Sequence, residues 1–166
     1  MEISGKTTER FIFLALYTGI ATIISWGGIQ ILNSSLESRY YKDFLLKWEV
    51  SLRAYDARGG IWPQFKGSNH LEYMDNLARL MRAGRISPPL SNRQRPYMYR
   101  IKKVGWRKKE DTFLLCLPDK IIIYGLSKET FDRLDGFIDE TGDPSRGRFT
   151  GQPGKDGKTY IGRWRL

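Results

Sequence analysis

Two stretches of this sequence hold side chains with chemistry to offer. From Asn76 to Lys109 there is no acidic residue, yet Arg79, Arg82, Arg85, Arg93, Arg95, Arg100, Lys102, Lys103, Arg107, Lys108 and Lys109 all fall there. Tyr97, Tyr99 and Trp106 are interleaved with them. Cations for phosphates and rings for base stacking are what a single-stranded nucleic-acid groove uses. The same cations also suit a solvated face, or a surface matched to an acidic partner or to lipid headgroups. Alternating charge along a strand favours these plainer readings. The candidate contacts for nucleic acid or an acidic partner are Arg93, Arg95, Arg100, Lys102, Lys103, Trp106, Arg107, Lys108 and Lys109. The second stretch is a glycine-rich segment carrying Asp139, Glu140, Asp143 and Asp156. Several carboxylate oxygens in one loop are the ligands calcium prefers. The spacing is not that of an EF-hand, and Arg146, Arg148, Lys155 and Lys158 offset the negative charge. A plain polar turn is the competing reading.

Catalysis has little to work with. One histidine, His70, cannot build a multi-histidine metal site. One cysteine, Cys116, excludes an intrachain disulfide. No Ser-His-Asp set, phosphate loop or metal triad is present. Asp132 and Asp135 are expected on an exposed helix face rather than in an acid–base site. The expectation is a protein that is not an enzyme and has no cofactor, calcium in the acidic loop being the one candidate.

The elements that must position these residues begin with a long helix. The chain has 166 residues and a formal charge of +10, with 28 Lys and Arg against 18 Asp and Glu. That length allows one modest core. "FIFLALYTGIATIISWGGIQIL" opens a run with no charge from Phe11 to Leu36. A spanning helix needs about 20 predominantly apolar residues, and this run exceeds the usual core of a signal peptide. A retained membrane helix is expected over 11–35, after a short tail, 1–10. Positive charges flank it almost evenly, Lys6 and Arg10 before and Arg39 and Lys42 after. The short tail favours an N-terminus inside and the rest of the chain outside the cytoplasm.

The helix is expected to continue over 36–58. Leu36, Tyr40, Phe44, Trp48, Leu52 and Tyr55 form one apolar stripe, widened by Tyr41 and Leu45. Gly59-Gly60 stops it, and Pro63 blocks resumption. Residues 59–166 then read as a small α+β head. Helices are expected over 70–81 and after the N-cap Ser127. Strands are expected over 97–106, 111–119, 120–126 and the final "TYIGRWRL", with 139–158 as a loop. Strands adjacent in sequence pair antiparallel. The fold class is α+β: a long N-terminal helix, half membrane and half amphipathic, packed on a small antiparallel sheet.

This arrangement resembles the type IV pilin and type II secretion pseudopilin superfamily. An apolar span running into an amphipathic helix, the helix end "LRAYDARGGIWP", the short helix "YMDNLARLM" and the segment "IIIYGLSKETFDRLDGFIDETGDPSRGRF" carry the resemblance, which covers most of the chain. It implies a pilin-like structural subunit of a pilus or pseudopilus filament, held in the inner membrane before assembly. Its partners would be other pilin-like subunits or further copies of itself, met through the N-terminal helix. Phe11, Leu14, Gly19, Trp26, Gly27 and Gly28 are the residues through which such helices would pack. It also points to the C-terminal acidic loop as a calcium site, because some pseudopilins use theirs so. The sequence departs from the family at its N-terminus. Gly5 is followed by Lys6 rather than phenylalanine, and Glu9 would be the fourth mature residue rather than the fifth. Cleavage at Gly5 is therefore expected to be inefficient or absent. The reading from a different class is a single-pass protein whose basic head binds nucleic acid or an acidic partner without polymerising.

Overall fold

A computed structural model describes residues 5–105, 109–139 and 147–166. One helix runs without a break from α1 (Gly5–Arg39) through a π-helical segment (Tyr40–Leu45) into α2 (Leu46–Ala57). The π segment was not foreseen, and the stripe explains it. An α-helix holds 3.6 residues per turn, so each step of four overshoots by about 40°. Four such steps in succession, Leu36 to Leu52, would carry the stripe off the sheet. The wider π turn, closed by the Leu46 N–H donating to the Tyr41 carbonyl, takes up the excess. Tyr40, Phe44, Leu45, Trp48, Leu52 and Tyr55 are then all buried in one core.

The helix ends where its glycines place the end. Gly59 takes a positive φ of 70°, and the Gly59 and Gly60 N–H groups close on the carbonyls of Asp56 and Tyr55. The Tyr55 hydroxyl donates to the Ile61 carbonyl at 2.6 Å. Trp62 packs edge-on against the Tyr55 ring. The turn thus folds back over the last helical residues.

The head is a five-stranded antiparallel sheet in the order β1-β2-β3-β5-β4. Its strands are β1 (Met98–Ile101), β2 (Glu110–Leu117), β3 (Lys120–Leu126), β4 (Phe149–Pro153) and β5 (Tyr160–Arg165). Leu114, Cys116, Ile121, Ile123 and Trp164 join the helix stripe in the core. Helix α3 (His70–Ala83) buries Tyr73, Met74, Leu77, Ala78 and Met81. Helix α4 (Lys128–Asp139) starts at the expected cap, the Thr130 N–H donating to Ser127 Oγ. It buries Phe131 and Leu134.

Two strand expectations are corrected. Residues 149–153, read as loop, form edge strand β4, paired along its length with β5. Its only large apolar residue is Phe149, and Gly151 is needed because the Phe131 ring lies where a side chain would be. Periodicity therefore had nothing to register. The strand expected over 97–106 is shorter: β1 ends at Ile101, paired with Glu110, and residues 102–105 are not strand. Lys103 and Val104 leave the sheet because the long helix holds them.

Candidate functional site

The lower part of α1 is the first candidate. The helix is exposed continuously from Thr8 to Trp26. Phe11, Leu14, Ile23 and Trp26 are among the large apolar side chains left uncovered, Phe11 at 74%. It is the one helix among the described residues long and apolar enough to cross a membrane. Its hydroxyls suit that setting. Thr18 Oγ1 donates to the Leu14 carbonyl and Thr22 Oγ1 to that of Thr18, both at 2.8 Å, as polar groups surrounded by hydrocarbon must. At Gly19, Gly27 and Gly28 an added Cβ would meet nothing within 4 Å, so no described residue uses the space they leave.

The second feature is the junction where the head grips the helix. Glu37 is fully buried on α1. The Lys103 ammonium, only 2% exposed, lies 3.0 Å from Glu37 and 2.6 Å from Glu110. It also donates to Thr130 Oγ1 at 2.7 Å and Ser127 Oγ at 3.3 Å. Arg133 of α4 closes on the other Glu37 oxygen and donates to Gln30 Oε1 at 3.0 Å. One turn lower, Asn33 pairs with the Val104 backbone through both side-chain atoms, at 2.7 and 3.3 Å. Burial would raise the Glu110 carboxyl, but hydrogen bonds from Lys103, Ser127 and Thr130 outweigh it and hold the pKa below the usual glutamate value. Charges in a low dielectric persist only when paired this completely. The chemistry of this site is adhesion between helix and head.

The basic stretch separates into different environments. Lys103, expected with the exposed cations, is buried in the junction. Arg93 and Arg100 both pair with Asp111, at 2.9 and 2.6 Å, and Arg95 reaches Asp75 at 3.7 Å. Asp111 and Asp75 lie outside the acid-free run, which is why the sequence made the run look unneutralised. Lys102 and Lys109 remain exposed. Tyr97 is core, its hydroxyl donating to Asp75 at 2.7 Å, and the Tyr99 ring packs at a tilt against Tyr40 and Phe44. Trp106, Arg107 and Lys108 lie outside the described residues.

In the acidic loop, Glu140 and Asp143 also lie outside the described residues. Asp139 accepts from the Arg148 and Phe149 N–H groups at 2.8 and 2.7 Å, so its carboxylate fastens the start of β4 to the end of α4. Asp156 accepts from the Lys158 and Thr159 N–H groups and the Thr159 hydroxyl. Among the described residues no group of three or more His, Cys, Asp or Glu could hold a metal ion.

The other chemically capable residues pack or pair locally. His70 packs edge-on against Phe65 and Tyr124. Cys116 is buried, which raises its thiol pKa far above the usual range. Asp132 is on the exposed face of α4, paired with Lys128. Asp135, expected on that face, is instead buried. A cleft of about 640 Å³ beside the junction is lined by Lys109, Lys128 and Lys158 but also by Glu110, Asp111 and Glu129, so it presents no single charge to a ligand. The junction itself was missed from sequence; the one signal was Glu37, the acid that directly ends the uncharged run. Compared with protein-family models, curated proteins and solved structures, the chain matches none of them.

Proposed function

We propose that the chain is a membrane-anchored, pilin-like structural subunit of a filament of the type IV pilus or type II secretion pseudopilus kind, with the head outside the cytoplasm. The observation that carries this reading is the division of one helix. Its first part is apolar and uncovered on every side, and its second part is the spine of the head. Such a helix needs lipid around its lower part, or the lower parts of neighbouring helices in a filament core. The head needs no catalytic group for this role. The buried Lys103–Glu37–Arg133 cluster supports it, because a subunit that transmits load between helix and head needs the two fixed together.

Isolation of the native assembly is the test. Fibres with a helical core built largely of this chain, or a filament in which it is a minor component, would support the reading. A detergent-solubilised monomer under all conditions would favour the single-pass, non-polymerising alternative. For that alternative, a gel-shift titration of the full chain in detergent at low salt decides whether nucleic acid is the ligand, since phosphate contacts weaken steeply with salt.

A further inference from the structure

The place where the head first touches α1 sets a distance. Gly105 closes on Ile29, where an added Cβ would lie 3.5 Å from the isoleucine side chain. Arg133 reaches Gln30, and Val104 is bonded to Asn33. From Phe11 to Ile29 there are about 19 residues, or about 28 Å at 1.5 Å per residue. The hydrocarbon core of a bilayer is about 30 Å thick, with several ångströms of headgroup layer on each side. If Phe11 stands at one boundary, Ile29 stands at the other. No spacer separates the head from the membrane, and its lower rim lies at headgroup depth.

The chemistry of that rim matches the depth. Val104 is 39% exposed while its backbone N–H and carbonyl are both held by Asn33, so an apolar tip is pinned beside the end of the span. Lys102 and Lys109 are exposed and form no ion pair among the described residues. Lys102 lines a groove of about 190 Å³ together with Arg39 and Leu36 of α1. Arg100 lines the same groove, but its guanidinium is bonded to Asp111. Asp43, one turn above Arg39, is paired with Lys47. Glu37, fully buried, and Glu110, largely buried, are neutralised by Lys103 and Arg133 beside Val104. The tertiary structure therefore pairs the carboxylates at the junction and leaves Arg39 and Lys102 uncompensated in one groove, with Lys109 exposed on the neighbouring mixed-charge cleft. A helical side chain leans toward the N-terminus of its helix, so Arg39 extends toward the bilayer.

We propose that this rim binds anionic lipid headgroups, the phosphate seated between Arg39 and Lys102, with Lys109 on the neighbouring cleft and Val104 at headgroup depth. The proposal rests on the membrane-anchor reading above. Basic residues next to a span gain from an anionic leaflet only within about a Debye length of it, and the short span brings these residues within that range.

The test uses the full chain in vesicles of phosphatidylcholine, with and without about 30% phosphatidylglycerol. Nitroxides are placed one at a time at Leu14→Cys, Ile20→Cys, Val104→Cys and Gln152→Cys; the native Cys116 is buried and stays unlabelled. Collision with oxygen and with a water-soluble nickel complex gives the depth of each label. Labels at 14 and 20 are expected in hydrocarbon, 104 at headgroup depth and 152 in water. Spin-labelled phosphatidylglycerol should associate with the protein at least about threefold more strongly than spin-labelled phosphatidylcholine. That preference should fall to near unity in the triple variant R39Q/K102Q/K109Q and in about 1 M salt. A label at 104 in bulk water, with 14 and 20 in lipid, would overturn the proposal and leave the anchor standing. So would equal affinity for the two lipids, or a preference unchanged in the triple variant. Labels at 14 and 20 in water would overturn the anchor itself.

Discussion

Leu14 and Trp48 lie on the same unbroken helix, both large and apolar. Leu14 is 65% exposed and Trp48 is fully buried. Composition separates the two regions only in part. In the lower region apolar residues occupy all faces, and from Thr8 to Trp26 no described element covers them. In the upper region they form a stripe, charged residues fill the other faces, and a sheet covers the stripe. An apolar side chain becomes core only where something of matching shape is folded onto it. The boundary between the two regimes falls at Asn33 and Glu37, where the covering element is polar.

The largest effects should come from the upper region. Trp48→Ala removes a ring whose Nε1 also donates to the Pro96 carbonyl at 3.2 Å. It should lower head stability by about 3–5 kcal/mol, read as a shifted melt of the full chain in detergent. Trp26→Ala on the lower region should leave that melt unchanged. Equal shifts would mean that the two regions are not distinct.

The boundary comes next. Lys103→Ala leaves Glu37 and Glu110 without their shared cation and should cost about 3–5 kcal/mol. Its neighbour Lys102 is exposed, and Lys102→Ala should leave the melt where it was. A lysine-103 variant as stable as the parent would show the junction to be decorative. Asn33→Ala removes two hydrogen bonds to Val104 and should cost about 1–3 kcal/mol. Hydrogen exchange at the Val104 amide should rise by at least as much as the global loss predicts.

The smallest expected effect is the pH dependence of the junction. Glu110 has a folded pKa below its unfolded value, which is ~4.3. Its contribution is therefore fully present above that unfolded value and is lost as pH falls through the lower folded pKa. Asp111 shifts in the same direction, through its bond to Arg100 and despite slight desolvation, but it is half-exposed and screened. Melting midpoints should thus hold steady from neutral pH to about 5 and decline below it. In Lys103→Ala, Glu110 loses its main partner while burial persists, so its folded pKa rises toward or above the unfolded value and its share of the acid decline should shrink or reverse relative to the parent. An acid profile unchanged by that substitution would remove Glu110 from the account.

Much of this was legible in the sequence. The uncharged run from Phe11, the stripe from Tyr40 to Tyr55 and the stop at Gly59-Gly60 are local patterns. Each is set by helix geometry and by the left-handed freedom of glycine. The helix from His70, the cap at Ser127 and the strand Lys120–Leu126 are local as well. Strand β4 was not legible, because in "FTGQP" one phenylalanine and a required glycine leave no alternation to read.

Tertiary structure alone decided the rest. The π segment answers a drift that exists only relative to a fixed sheet. Asp135 is buried because of where α4 lies in the fold, which its own periodicity does not state. Above all, the meaning of each charge depended on partners distant in the chain. Lys103 and Lys102 are adjacent and chemically identical, yet one is buried between carboxylates from α1 and β2 while the other is exposed at the rim. Hydrophobic periodicity repeats over a few residues and so is written locally. Electrostatic pairing acts through space, across whatever residues the fold brings within a few ångströms.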